Sequence, residues 1–301
     1  MDRNDRMKGN LFAAAGAAGW GISGVCSQYL FSEYQVESGW LTAVRMLLSG
    51  VILLGIVLPR EKQMVFGIIN NKKDLLWLLA FAILGLLYCQ YSFLAAIAHS
   101  NSGTATILQS LNVVMMAAVM AVWNRSGIGR RQGAAVFLAV LGTYLVATHG
   151  NPSEMQLSSA GLAWGLSAAA GVVLYTLLSR PIVRRWGNLT VTGWGMLIGG
   201  IVLGAAVKVW RIPGNLDLFA VLIIAVIVLI GTAAGFSLFL QGIRYIGPEK
   251  ATLIGCLEPA SATFLSAVFL GTQFGPVEIM GFAAILGTVF LSMNGPKRQE
   301  L

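Results

Sequence analysis

Apolar runs of about 20 residues recur along the chain, each ended by a polar, Gly or Pro cluster, and this pattern predicts a bundle of membrane-crossing helices. The runs cover 10–31, 39–58, 74–98, 103–123, 132–149, 159–179, 190–210, 217–242, 250–270 and 277–294. The polar gaps between them alternate in charge. With the N-terminus inside, 17 of the 20 Lys and Arg residues fall on the cytoplasmic side, leaving Lys208 and Arg211 outside and Arg45 within a span. Basic residues collect in cytoplasmic loops, so both termini are expected there.

The pattern repeats. Trp20-Gly21-Ile22-Ser23 returns 144 residues later as Trp164-Gly165-Leu166-Ser167, Ala105-Thr106 returns 146 later as Ala251-Thr252, and Leu141-Gly142-Thr143 returns 145 later as Leu286-Gly287-Thr288. Three pairs in order at nearly one offset predict two five-helix units, 1–150 and 151–301. Five is odd, so the second unit enters the membrane inverted. The loops agree: Arg125, Arg130 and Arg131 precede span 5, whereas the matching loop before span 10 has no basic residue. The expected fold is therefore all-α and integral to the membrane, with ten transmembrane helices in two inverted repeats. Such repeats suit transport by alternating access.

Composition sharpens the class. The chain has 301 residues, 56% hydrophobic and 11% charged, far fewer charges than a soluble domain carries. The net charge of +8 then reports loop orientation rather than affinity for nucleic acid. Positive residues followed by the small, apolar AAAGAAG resemble a cleaved signal, but the repeat includes that first helix, so it is expected to stay. Cys26, Cys89 and Cys256 all lie in spans without a CxxC spacing, and neither a disulfide nor a metal site is expected. No motif calls for a cofactor.

Candidate chemistry begins at Glu258-Pro259 inside span 9. A carboxylate within a membrane costs about 2.5–3.5 kcal/mol on insertion scales and faces a cavity or a partner. Thr252, Gly255 and Glu258 share a helix face, and their repeat mates Thr106, Gln109 and Asn112 share one on span 4, predicting two polar stripes across a cavity. Trp20 and Ser23 on span 1, Gln90 and Tyr91 on span 3, Trp164 and Tyr175 on span 6, and Phe236 on span 8 are the other substrate-wall candidates. Glu258 is also the coupling candidate. Arg45 on span 2 is read as a structural charge. Close helix packing is the competing role for the faces of spans 1 and 6, and a structural acid hydrogen-bonded to a neighbouring helix is the competing role for Glu258. Gly21-Ile22-Ser23-Gly24 matches the GxSG of intramembrane rhomboid proteases, with His149 as nominal base, but duplication accounts for the motif and the chain is read as a non-enzyme.

Taken with WGISG in span 1, AVRMLLSG in span 2, FLAAIAHSNSGTATILQSL through spans 3 and 4, and GIRYIGPEKATLIGCLEPASATFLSAVFLG through span 9, the chain resembles the drug/metabolite transporter superfamily, specifically the EamA-type ten-helix bacterial permeases. The resemblance covers nearly the whole chain. It implies a plasma-membrane exporter of small amphipathic metabolites such as amino acids, with spans 4 and 9 central and spans 5 and 10 peripheral. The implied partners are the bilayer, the solute, protons and, as an option, a second copy in a homodimer. Two departures stand out: Trp123-Asn124-Arg125 and Gly271-Thr272-Gln273 replace a Leu-Gly-Glu pattern, and Val113 replaces a proline. The alternative to transport is a membrane protein that binds a partner without moving a solute.

Overall fold

In a computed structural model describing residues 3–123, 130–151, 156–214 and 216–293, all regular structure is helical. Ten helical segments overlap the ten predicted runs: α1 Arg3–Glu33, α2 Ser38–Asn70, α3 Lys72–His99, α4 Ser102–Trp123, α5 Arg130–Thr148, α6 Ser159–Trp186, α7 Asn188–Val207, α8 Leu218–Ile246, α9 as Pro248–Gly255 and Leu257–Leu270, and α10 Pro276–Met293. Of these, α2, α3, α4, α6, α7 and α8 are long and apolar enough to cross a bilayer. Asn124 and Arg125, singled out in the sequence, lie outside the described residues, as does the side chain of Thr252.

Local chemistry sets the ends. Asn71, Asn101, Ser158 and Asp217 each accept a backbone N–H from the first turn of α3, α4, α6 and α8, satisfying donors that the helix leaves open. Gly187 and Gly271, at φ 76° and 63°, stop α6 and α9 where a side chain would be strained. One end differs from expectation. α2 was expected to stop at 58, yet helix continues to Asn70, bending at Glu61 (φ −135°, ψ 43°) just after Pro59. A proline in a helix lacks one backbone N–H, so it bends the helix without having to end it.

The main helix pairings are α1 with α8, α3 with α6, α2 with α7, α5 with α10, α1 with α9, α4 with α6, α3 with α7, α2 with α3, and α4 with α9. Adding or subtracting five from each number returns all of them except α3–α7, whose mate α2–α8 is weaker, and α2–α3. The α2–α7 crossing has the same reciprocity at residue level: a Cβ at Gly50 would stand 2.6 Å from Leu197 N, and one at Gly200 would stand 2.8 Å from Leu47 N. Glycine lets these backbones approach closely, and close packing drives helix association in lipid, where no hydrophobic force acts between helices. Both α3 and α8 also widen into a π-helical stretch, at Phe81–Leu87 and Leu229–Ala234. Such stretches shift the register of the side chains that follow.

Where α3 begins and α6 ends, the buried Asp74 accepts from Arg185 Nη1 at 2.8 Å and Trp186 Nε1 at 3.0 Å. Asp74→Ala is expected to cost about 1–3 kcal/mol by stranding these donors and the helix start. Thermal unfolding in detergent checks this, and an unchanged melting temperature would reduce the contact to a solvated pair, as the exposure of Arg185 would allow.

Candidate functional site

A polar cavity within the bundle is walled by seven helices: Trp20 from α1, Arg45 from α2, Leu86, Cys89, Gln90 and Phe93 from α3, Gln109 from α4, Val172 and Tyr175 from α6, Phe236 from α8 and Glu258 from α9. Both halves contribute, while α5, α7 and α10 contribute nothing. The cavity measures about 90 Å³, roughly the liquid volume of three waters.

Small residues bring the walls together. A Cβ at Gly171 of α6 would stand 2.6 Å from Cys89 Cα, so α3 and α6 touch backbone to backbone beside the cavity. Gly21 of α1 lies against Glu258 O, where a Cβ would stand at 2.8 Å, and against the Ser261 hydroxyl. The WGIS pattern thus serves helix contact at its glycine and the cavity at its tryptophan. Trp20 packs on Phe236 with ring centroids 5.3 Å apart and on Phe239 at 4.8 Å, and these rings supply an apolar wall.

α4 and α9 are both interrupted beside the cavity, at Ser110–Leu111 and at Cys256. In α9 the cause is Pro259, which lacks the N–H that would close the preceding turn. In α4 a valine stands at that position, yet the helix breaks all the same. There Leu111 N turns to Leu108 O at 3.1 Å, and the Asn112 amide donates to Gln109 O at 2.7 Å, satisfying the carbonyl from the side. Asn112 therefore shapes the break that positions Gln109, and it does not line the cavity.

Arg45 was expected to serve the architecture. It is buried, and its Nε donates to Thr232 Oγ1 at 3.0 Å in the π-helical stretch of α8, but it also forms part of the cavity wall and its Nη1 has no hydrogen-bond partner. Gln90 Nε2 and Trp20 Nε1 are likewise buried and unpartnered on the same wall. Gln109 Nε2 reaches Cys89 Sγ at 3.9 Å, a weak contact for an amide. Glu258 is the carboxylate of this wall, and no contact ion pair joins it to Arg45.

Of the ten substrate candidates, Trp20, Gln90, Gln109, Tyr175, Phe236 and Glu258 meet at the cavity. The others do not. Tyr91 and Trp164 pack edge to face at 5.4 Å, with Trp164 against the apolar core, and Ser23 is buried against Gly231 of α8. The GxSG serine thus faces a helix crossing, while His149 pairs with Glu278 at 3.4 Å. Arg45 and Cys89 are the polar wall residues that the sequence stripes missed. Arg45 carried a usable signal, since a buried arginine wants more partners than one helix provides.

Comparisons with known proteins agree on class. The EamA-like transporter family matches residues 7–148 and 159–294. The uncharacterized inner membrane transporter YicL of Salmonella typhimurium is 36% identical over 97% of this chain and 97% of its own length. The uncharacterized transporter YwfM of Bacillus subtilis is 24% identical over 98% of this chain and 97% of its own. A solved crystal structure shares the fold at a TM-score of 0.63 with 15% identity, covering 94% of this chain and 95% of that one.

Proposed function

The chain belongs to the EamA-like transporter family and is a multi-pass inner-membrane transporter, and on that premise we propose that it exports small amphipathic metabolites such as amino acids by alternating access. The observation that carries this reading is the cavity between the helices of both halves, whose wall holds an arginine and a carboxylate. Two supports stand beside it. Most of the main helix pairings are returned by a shift of five, and the family matches two successive stretches of the chain, as expected of two inverted units at 1–150 and 151–301 that exchange conformations around a fixed site. In this reading rocking of one half against the other exposes the cavity to each side of the membrane in turn.

Glu258 is the coupling residue in this proposal. A carboxylate that holds either a proton or a substrate ammonium, but not both, ties solute movement to proton movement, because each weakens binding of the other. The test is uptake of pooled radiolabelled amino acids and cationic metabolites into proteoliposomes, with the pH gradient in either direction or absent. Gradient-dependent accumulation above protein-free vesicles is expected. Its absence for every solute would favour a protein that binds a membrane partner and moves nothing.

A further inference from the structure

A second cleft lies apart from the central cavity, between α2, the start of α7 and the last part of α8, and measures about 370 Å³. Arg60 and Glu61 of α2, Asn188 of α7, and Gln241 and Arg244 of α8 supply its polar groups. On both long helices an apolar residue of the lining precedes the arginine by one turn, Ile56 on α2 and Leu240 on α8, so the wall changes from apolar to basic along the bundle. Arg60, Glu61 and Arg244 are exposed, and among the described residues none of the three joins an ion pair. The start of α7, from Gly187 to Thr190, also lines the cleft without a side-chain cap, and a helix start carries partial positive charge.

Two further observations set the depth and the shape of this cleft. The apolar run of α2 ends at 58 after about 20 residues, or about 30 Å of rise, so Arg60 stands where hydrocarbon gives way to headgroups. Past the bend at Glu61 the helix exposes Met64 and Phe66 close to Lys62, the mixture of a segment lying at a membrane surface. α2 packs on the Leu218–Ala234 part of α8, whereas the Gly235–Ile246 part packs chiefly on α1. The cleft fills the gap this leaves, and each half of the chain brings one arginine to it.

We propose that the cleft binds the headgroup of an anionic phospholipid from the leaflet at the basic end of the bundle, with Arg60 and Arg244 on the phosphate and Ile56 and Leu240 against the start of the acyl chains. Guanidinium groups suit phosphate oxygens because their N–H groups form a planar fork. Basic pockets between membrane helices are a recurrent place for such headgroups. The charges of Arg60, Arg244 and Glu61 sum to +1, the complement of a headgroup whose only charge is its phosphate diester. A choline or ethanolamine headgroup brings a cation of its own to a site that is already positive. A glycerol headgroup instead brings hydroxyls, which donate to Glu61 and accept from the Gln241 and Asn188 amides. A soluble phosphate would meet the same arginines, but it has no use for the apolar turn beside them. The bound phosphate would tie α2 to α8 where the helices themselves have parted.

The test is thermal unfolding of the full chain in neutral detergent with added phosphatidylglycerol, phosphatidylethanolamine, phosphatidylcholine, inorganic phosphate or glycerol 3-phosphate. Phosphatidylglycerol is expected to raise the melting temperature by at least about 3 °C more than phosphatidylcholine does. Arg60→Gln/Arg244→Gln is expected to melt with the wild type without lipid, since both side chains are exposed, and to lose most of that difference. Lys72→Gln/Lys73→Gln removes the same charge from exposed positions outside the cleft and is expected to keep it. Equal shifts from phosphatidylglycerol and phosphatidylcholine would overturn the proposal, as would equal losses in the two double variants, which would reduce the effect to the general field of the basic loops. An equal shift from inorganic phosphate or glycerol 3-phosphate would make this a site for a soluble phosphate and overturn the lipid assignment. Native mass spectrometry of the wild-type chain gives a reading that needs no variant: retention of phosphatidylglycerol in preference to phosphatidylcholine is expected, and retention of neither would overturn the site.

Discussion

Glu258→Gln is expected to bring pH-gradient-driven accumulation in proteoliposomes down to the level of protein-free vesicles, with the protein still folded. The substitution keeps size and shape, so the α9 interruption at Cys256 and the contact of Gly21 with the α9 backbone are retained. It removes both functions that the carboxylate supplies in the proposal. An amide does not titrate near neutral pH, so the proton gradient loses its point of action. It also replaces a charged partner of the substrate ammonium with a neutral one. Hydrogen bonds to charged groups contribute about 1.5–3 kcal/mol, which corresponds to roughly 10- to 150-fold in affinity. Gradient-driven accumulation by Glu258→Gln at the wild-type rate would make the acid a structural group and move coupling elsewhere.

Much of this site could be read from the chain because membrane burial makes polar residues informative. Glu258, Gln90 and Gln109 stood out as side chains that hydrocarbon does not tolerate unpartnered, and all three meet at the cavity. The aromatic candidates divided, with Tyr175 joining Trp20 and Phe236 at the cavity. Trp20 and Phe236 line the cavity while Tyr91 and Trp164 pack together in the core, since spacing along a helix gives the face and leaves open what covers it. Arg45 was harder to place. Its backbone lies near the start of α2, and the long side chain reaches the cavity it shares with Glu258. The α4 break was illegible for another reason. Pro259 announces the one in α9, whereas in α4 the amide of Asn112 satisfies a carbonyl locally, an arrangement without a breaker residue to mark it. The Leu47–Gly50 and Leu197–Gly200 pairs stand at one offset of 150, a repeat signal weaker than WGIS until the α2–α7 contact explains it.

Gly50→Leu is expected to destabilise the fold more than any cavity substitution, and its effect is separable from transport chemistry by a control on the same helix. The α2–α7 pairing is one of the three most extensive in the bundle, and Gly50 sits where α2 meets the α7 backbone. A Cβ there would stand 2.6 Å from Leu197 N and 2.8 Å from its Cα, so relief requires movement of a helix rather than rotation of a side chain. Overpacking of this kind costs about 1–3 kcal/mol or more, equivalent to roughly 2–12 °C in melting temperature for a chain of this size class. Gly55, five residues further along α2, has nothing within 4 Å of its Cβ position, so Gly55→Leu is expected to melt with the wild type. Gly200→Leu attacks the same crossing from α7, against Leu47. Because the first leucine has already forced the helices apart, the double variant Gly50→Leu/Gly200→Leu is expected to lose less than the sum of the two single losses. Thermal unfolding of the four variants in detergent decides the matter. Equal melting for Gly50→Leu and Gly55→Leu would show that the two halves do not meet at this crossing, and full additivity would show that the two glycines belong to separate contacts.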